Sequence, residues 1–381
     1  MSGMSSELSS SRLHPGITKN QVIVLAGATS VGKSKVAQLL CEEHGNCEVI
    51  IADSVQIYKH LDIGSNKPSR EEQEAVPHHL VDICEPHETY SSGEFVRAAV
   101  PIIYDILNRG KLPVVVGGST MYLQWLVHGT PDAPKASEAV VRQAENLLKD
   151  AEANGQWEVA VDILSEHDGA RAASLGKNDW YRMRRYLEVA LSLKEEGGSS
   201  EVEKGSRIEN FPDLDLRCYF LSEDREQLYR MIDYRCEEML KVGLIDEVSA
   251  LVTAGHLAPN STAAKAIGYR QTIEYLGRSM ELDLSDTKLA VFHNFLTDFA
   301  TATRNYAKRQ LQWYRKDKSF LWLKIERPDA VDKKSKEEEP YRKVAKEVLH
   351  WNSLPDSNFR QMIKHQMLRG AAVASIRGRM H

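Results

Sequence analysis

The sequence predicts an α/β protein: a parallel sheet covered by helices on both faces and interrupted by an all-helical insertion. Three observations carry this reading. Short β-branched runs alternate with helical patterns in the first third of the chain. A G-x-x-x-x-G-K-S stretch, 27–34, stands between the first such run and the first helical pattern. Strand patterning then stops from about 137 to 195 and returns near 217. Strands separated by helices need crossovers, and crossovers make the sheet parallel and bury both its faces. The expected fold is thus a P-loop-type parallel sheet core with helices on both faces and an all-helical insertion domain.

The elements follow in order. Residues 1–20 are Ser-rich with no apolar centre and read as a disordered leader, a weak organelle presequence at best. Residues 21–26 (QVIVLA), 49–52 (VIIA) and 113–116 (PVVV) read as buried strands. Ser91 followed by Glu94 is a capping-box pattern opening a helix that carries Phe95, Ala98, Ile102 and Ile106. The turn-rich stretch 129–134 closes the first part of the core, 21–134. The helical insertion spans 135–200 and ends in the polar linker KEEGGSS. The second part of the core, 201–328, contains strands at 217–221 and 320–323 with helices between them. Residues 329–381 read as a charged loop, 332–339, and a basic tail with five Lys or Arg beyond Asp356 and no acid.

Composition excludes several function classes. With 381 residues, 42% apolar and 27% charged, the chain has room for two to three domain-sized units at roughly 150 residues each. No apolar run approaches the ~20 residues of a membrane helix, and no membrane partner is expected. The five cysteines form no CxxC pair, which points to reduced thiols rather than a disulfide frame or zinc cluster. The net charge of −5 gives no general nucleic-acid signature, so an RNA partner requires locally concentrated cations.

The chemistry starts at the phosphate loop. Gly27, Thr29, Ser30, Val31 and Gly32 form a turn whose backbone N–H groups can cradle phosphate oxygens. Lys33 adds a charge, Ser34 is the expected Mg²⁺ ligand, and the helix start adds its partial positive charge. The motif identifies a di- or triphosphate group without naming the reaction. Asp53 closes the second strand, at the sheet edge where ligands of open α/β folds bind, and there a carboxylate can act as general base. A turn or N-cap aspartate is the bland alternative. The acid that a kinase needs is missing after 114–116, and Asp82 is the candidate that keeps a small-molecule kinase open.

Further stretches are ADSVQIY (52–58), DIGSNKP (62–68), PHHLVD (77–82), GGSTMY (117–122), NDWYRMRR (178–185), AIGYRQ (266–271) and TRNYAKRQ (303–310). With the phosphate loop they occur in order from about 21 to 325, and together they resemble the tRNA dimethylallyltransferases. The resemblance implies a transferase that moves the dimethylallyl group of dimethylallyl diphosphate to N6 of adenosine 37 in tRNA. It implies Asp53 as base, Lys33 and the loop on the diphosphate, and Ser119, or its neighbour Thr120, as a hydroxyl near the reacting groups. The expected tRNA contacts are Ser54, Gln56, Ile57, Tyr58, Arg182, Arg184, Arg185, Lys265, Gly268, Tyr269, Arg270, Arg304 and Lys308. The partner is the anticodon stem-loop, whose target adenine must be flipped out of its stack. On the helix before the last strand, Arg304, Lys308 and Arg315 fall within about 40° of one another, with Leu311 interrupting them. Phe295, Phe299, Tyr306 and Trp313 lie opposite and read as core.

Three departures qualify the resemblance. No Cys follows Cys236, so the zinc finger of many eukaryotic relatives is not expected. Lys265 replaces a common Arg and loses bidentate geometry. Residues 137–175 carry no clear identity. An adenylate isopentenyltransferase making cytokinin from free nucleotide is the alternative within enzymes, and a non-catalytic RNA-binding module the alternative outside them. A monomer in the cytoplasm is expected, with mitochondrion or plastid as the other compartments.

Overall fold

The computed structural model describes residues 20–131, 136–195, 207–208, 211–258, 261–280, 285–327 and 338–377. The expected leader, most of the polar linker and most of the charged loop lie outside these residues. The chain divides into two compact units, residues 1–127 with 211–381, and residues 128–210.

The first unit is built on a six-stranded sheet. Its strands are β1 (Gln21–Gly27), β2 (Cys47–Ala52), β3 (His78–His79), β4 (Leu112–Gly117), β7 (Asp215–Ser222) and β8 (Leu321–Lys324). They lie in the order β3-β2-β4-β1-β7-β8, with every pairing parallel. Alternation along β1 sends Ile23 and Leu25 to one apolar layer, and Val22, Val24 and Ala26 to the other. β1, β2 and β4 are buried along their whole length, because there neither face of the sheet meets water. Helices α1 (Lys33–His44), α8 (Arg225–Val242) and α9 (Leu244–Thr253) contribute buried residues to the first layer. The second layer receives α3 (Ser92–Asn108) and α4 (Thr120–His128). Ser91 caps α3 as expected: its hydroxyl accepts from Glu94 N while the Glu94 carboxylate accepts from Ser91 N. The short α2 (Arg70–Ala75) precedes β3.

Residues 329–381 depart from the expected loop and tail. They contain α12 (Glu339–Asn352) and α13 (Asp356–Arg377). Val344, Ala345 and Val348 are buried in the first layer, and Phe359 and Ile363 follow them there one helical turn apart. Phe359 packs on Tyr219 of β7 with ring centroids 5.4 Å apart. The cations drew the sequence reading toward a tail, whereas the sparse apolar stripe decides the structure.

Among its described residues the second unit is helical apart from one short strand pairing. Helices α5 (Glu138–Ala153), α6 (Trp157–Ala173) and α7 (Trp180–Glu195) share a core of Val140, Leu148, Leu164, Met183 and Leu187. Its limits are 128 and 210 rather than the expected 135 and 200. The reason is a two-residue antiparallel ladder, β5 (Thr130–Pro131) against β6 (Arg207–Ile208), that binds the ends of the insertion to each other. Two-residue strands leave no periodic signal. Among the described residues no helix is long and apolar enough to cross a membrane.

Candidate active site

Three loops leave the carboxyl edge of the sheet side by side. The phosphate loop follows β1, the Asp53 turn follows β2, and Gly118-Ser119 follows β4, all three strands being neighbours. At this edge the backbones are tightly packed. A Cβ on Gly117 would stand 1.9 Å from the Ala52 carbonyl oxygen, so β4 must end in glycine.

In the phosphate loop, Ser30 and Gly32 have left-handed φ of 64° and 98°. The loop then enters α1, whose first N–H groups have no helical partners and form an anion site. The Lys33 ammonium is half-buried and donates to Ala28 O at 2.9 Å. Burial pushes it down to about 8, opposed by Asp53 and assisted by a smaller push from Arg235. A cation desolvated in this way gains most when an anion arrives.

Asp53 Oδ1 accepts from Val55 N at 2.9 Å and Gln56 N at 3.4 Å. The carboxylate thus closes a turn, as the bland reading expects, and the same bonds fix its orientation. Oδ2 makes no hydrogen bond among the described residues. Ser119 Oγ accepts from Ser54 N at 2.8 Å and is buried, so this hydroxyl joins the end of β4 to the Asp53 turn. Two residues of α11 (Ser285–Tyr314) hold the loops together. Gln310 accepts from Thr29 N and donates to Gly118 O, both at 2.8 Å, and Tyr306 donates to the same carbonyl at 3.3 Å.

A cavity of about 250 Å³ opens at these residues. Thr29, Asp53, Arg235, Lys265, Thr303 and Tyr306 supply its polar lining, and Val55, Cys236, Met239, Ile267 and Phe299 its apolar lining. The mixture suits a molecule with a charged head and a short hydrocarbon tail. Arg235, from α8, donates to Thr29 Oγ1 at 3.4 Å, and Asp53 is its largest stabilising charge against burial. Sequence reasoning missed Arg235, Thr303 and Gln310 as site residues. A signal existed for Arg235. Leu228, Ile232 and Met239 form an apolar stripe on α8, and Arg235 occupies the stripe position between the last two.

The expected RNA contacts separate on inspection. Ile57, Tyr58 and Tyr269 are core side chains, at most 1% exposed, and the expectation that they meet RNA is corrected to packing. Tyr58 and Ile57 lie in the first apolar layer, and the Tyr269 hydroxyl donates to Glu247 at 2.7 Å. Gln56 is buried as well and donates to Ser65 O and Asn66 O at 3.1 Å. It holds the loop that lines the cavity. Gly268 is a buried turn glycine with φ 94° at the start of α10 (Tyr269–Met280). Ser54, Lys265, Arg270 and Lys308 are exposed. Arg304 is half-buried and pairs with Asp233 at 2.9 Å. In the second unit Arg182, Arg184 and Arg185 pair with Asp179, Glu152 and Glu188. Of the aromatic stripe on α11, Phe295 and Phe299 are core as expected, but Tyr306 lines the cavity and Trp313 is exposed. Asp82, the acid kept for a kinase, is taken up with Asp62 by Lys67, at 2.5 Å in each case.

An IPP transferase family model matches residues 56–317, and an isopentenyl transferase model matches residues 20–82. The chain is similar to tRNA dimethylallyltransferase 9 of Arabidopsis thaliana, 39% identical over 81% of this chain and 72% of that one. It is also similar to the tRNA dimethylallyltransferase of Protochlamydia amoebophila, 35% identical over 82% and 86%. The crystal structure of the tRNA isopentenylpyrophosphate transferase from Bacillus halodurans matches with a TM-score of 0.56 and 29% identity, covering 91% of this chain and all of that one. A eukaryotic dimethylallyltransferase described as acting on tRNA matches with a TM-score of 0.61 and 27% identity, covering 80% and 74%. The chain therefore belongs to the IPP transferase family, the tRNA dimethylallyltransferases.

Proposed function

We propose that this transferase moves the dimethylallyl group of dimethylallyl diphosphate to N6 of adenosine 37 in the anticodon stem-loop of tRNA, acting as a monomer in the cytoplasm. The observation that carries the reading is one cavity holding Asp53, the cationic Arg235 beside the phosphate loop, and an apolar wall. The exocyclic amine of adenine is a weak nucleophile, because its lone pair is delocalised into the ring. As N6 bonds to C1 of the allyl group, the C1–O bond breaks and diphosphate leaves. Asp53 Oδ2 takes the N6 proton as positive charge develops on nitrogen. Lys33, Arg235 and the loop N–H groups receive the charge that collects on the departing diphosphate. Ser119 keeps the Asp53 turn in register with the end of β4.

The donor set also fits the expected Mg²⁺. Ser34 is exposed in the first turn of α1, and no group of three or more His, Cys, Asp or Glu that could hold a metal occurs among the described residues. At a phosphate loop the hydroxyl that follows the lysine is a Mg²⁺ ligand, with substrate oxygens and water in the rest of the shell. Bound there, the ion neutralises diphosphate charge.

The test uses purified protein, labelled dimethylallyl diphosphate, Mg²⁺, and either an anticodon stem-loop with A36-A37-A38 or AMP. Label is expected on the stem-loop and is expected to vanish when A37 is replaced by G. Label on AMP alone would mean an adenylate isopentenyltransferase, and transfer of phosphate from ATP would mean a kinase.

A further inference from the structure

The phosphate loop has a back as well as a front. A loop that turns its N–H groups toward an anion turns its carbonyls outward. Here two of those carbonyls meet a single guanidinium. Arg327, just beyond β8, donates through Nη2 to Ser30 O at 3.3 Å and to Val31 O at 3.2 Å. Its Nη1 pairs with Glu223 at 2.8 Å, and its Nε donates to the Tyr341 hydroxyl at 2.9 Å. Little of either charged side chain meets solvent, 11% of Arg327 and 1% of Glu223 being exposed. Tyr341 belongs to α12, and its ring lies so close to Gly32 that a Cβ there would stand 2.3 Å from Cε1. The helix is tied to α1 by ion pairs of Arg342 with Glu43 at 2.8 Å and of Glu338 with Lys35 at 2.6 Å. Arg327 and Tyr341 lie beyond the residues 56–317 that match the family model.

We infer that Arg327, held by Glu223 and Tyr341, is a positioning residue that keeps the phosphate loop in its anion-binding form from behind. Two physical effects work together. The left-handed conformation at Ser30 is unfavourable for an unsupported chain, and the guanidinium holds that residue's carbonyl together with the next one. In addition, Val31 O and Gly32 N are the two ends of one peptide group. A cation on that carbonyl polarises the amide and makes its N–H a stronger donor toward diphosphate. The C-terminal helices are thereby part of the diphosphate site without touching the ligand.

The inference rests on the reading of this loop as a diphosphate site, and inorganic diphosphate separates the two. Binding of inorganic diphosphate and of dimethylallyl diphosphate is measured by calorimetry for the native chain, Arg327→Gln, Arg327→Lys and Tyr341→Phe. KM for each substrate and the melting temperature are recorded for all four. Arg327→Gln is expected to weaken both diphosphate ligands about tenfold, the worth of a lost charge-assisted hydrogen bond, with stem-loop KM unchanged. Arg327→Lys is expected to recover part of the loss, since it keeps the charge but not the fork. Tyr341→Phe removes the hydroxyl that accepts from Nε while keeping the ring, and is expected to cost about threefold at an unchanged melting temperature. Should Arg327→Gln fail to fold, Tyr341→Phe decides alone. Diphosphate affinities equal to native in the folded variants would overturn the inference. A native chain that binds neither diphosphate ligand would instead overturn the reading of the site.

Discussion

The α/β unit and the helical unit use their cations differently. In the first, Lys33 and Arg235 are half-buried beside the cavity, with Asp53 as the counter-charge common to both. In the second, Arg182, Arg184 and Arg185 each stand in an ion pair within the unit, and their side chains are 64%, 37% and 40% exposed. A desolvated cation is held at a cost that an arriving anion relieves. An exposed pair contributes at most about 1 kcal/mol and exchanges partners easily. The first arrangement suits one compact diphosphate at a fixed place. The second suits an extended polyanion whose contacts are individually weak and sensitive to salt.

Substitutions on either side break or sharpen this contrast. Among the cations, Lys33→Met is expected to have the largest effect, a loss of about a hundredfold or more in kcat/KM for dimethylallyl diphosphate. Stem-loop affinity is expected to hold, and steady-state kinetics with both substrates varied checks this. Arg235→Gln is expected to raise the KM for dimethylallyl diphosphate about tenfold. An equal rise in stem-loop KM would erase the contrast from the α/β side. From the other side, the combined change of Arg182 and Arg185 to Gln is expected to leave diphosphate binding untouched. It is expected to weaken stem-loop binding about two- to fivefold and to flatten the salt dependence by about one unit of slope per lost phosphate contact. A salt titration of stem-loop binding reads both.

The smallest effect is a proton. Burial brings the midpoint of Lys33 deprotonation down to about 8, whereas its ordinary value is 10.5. Between these values the unfolded chain holds a proton that the native chain has released, so Lys33 adds stability as pH rises through 8. Binding runs the opposite way, because bound diphosphate returns the proton. Diphosphate affinity is expected to be level below pH 8 and to fall above it. Calorimetry at pH 8.5 in buffers of different ionisation enthalpy is expected to show proton uptake, which Lys33→Arg abolishes. Absence of uptake in the native chain would remove the desolvated cation from the account.

What could be read in the sequence was local. The phosphate loop, Asp53 and the β-branched strands each announce themselves within a few residues, because a tight turn, a strand end and a buried strand restrict their own composition. The rest is set by packing across the sequence. Gln310 bridges Thr29 and Gly118 from far along the chain, and its place in α11 becomes visible only when Thr303, Ala307 and Tyr314 are seen to bury the same stripe. Tyr58 and Tyr269 stand among the expected tRNA contacts until their burial is known. Arg327 follows a strand in charged surroundings, and nothing in its neighbours reveals that it reaches Ser30 and Val31. A net charge of −5 hides the two half-buried cations, Lys33 and Arg235, that share Asp53 as counter-charge.

The central claim is that Asp53 removes the N6 proton while its turn stays intact. Asp53→Asn tests it, because an asparagine Oδ1 still accepts from Val55 N and Gln56 N and only the base is lost. The measurement is the single-turnover rate of prenyl transfer to a prebound stem-loop, beside the stem-loop Kd. The account predicts a rate about a thousandfold below native with Kd unchanged. A near-native rate, or a fall in rate matched by an equal loss of stem-loop affinity, would contradict it.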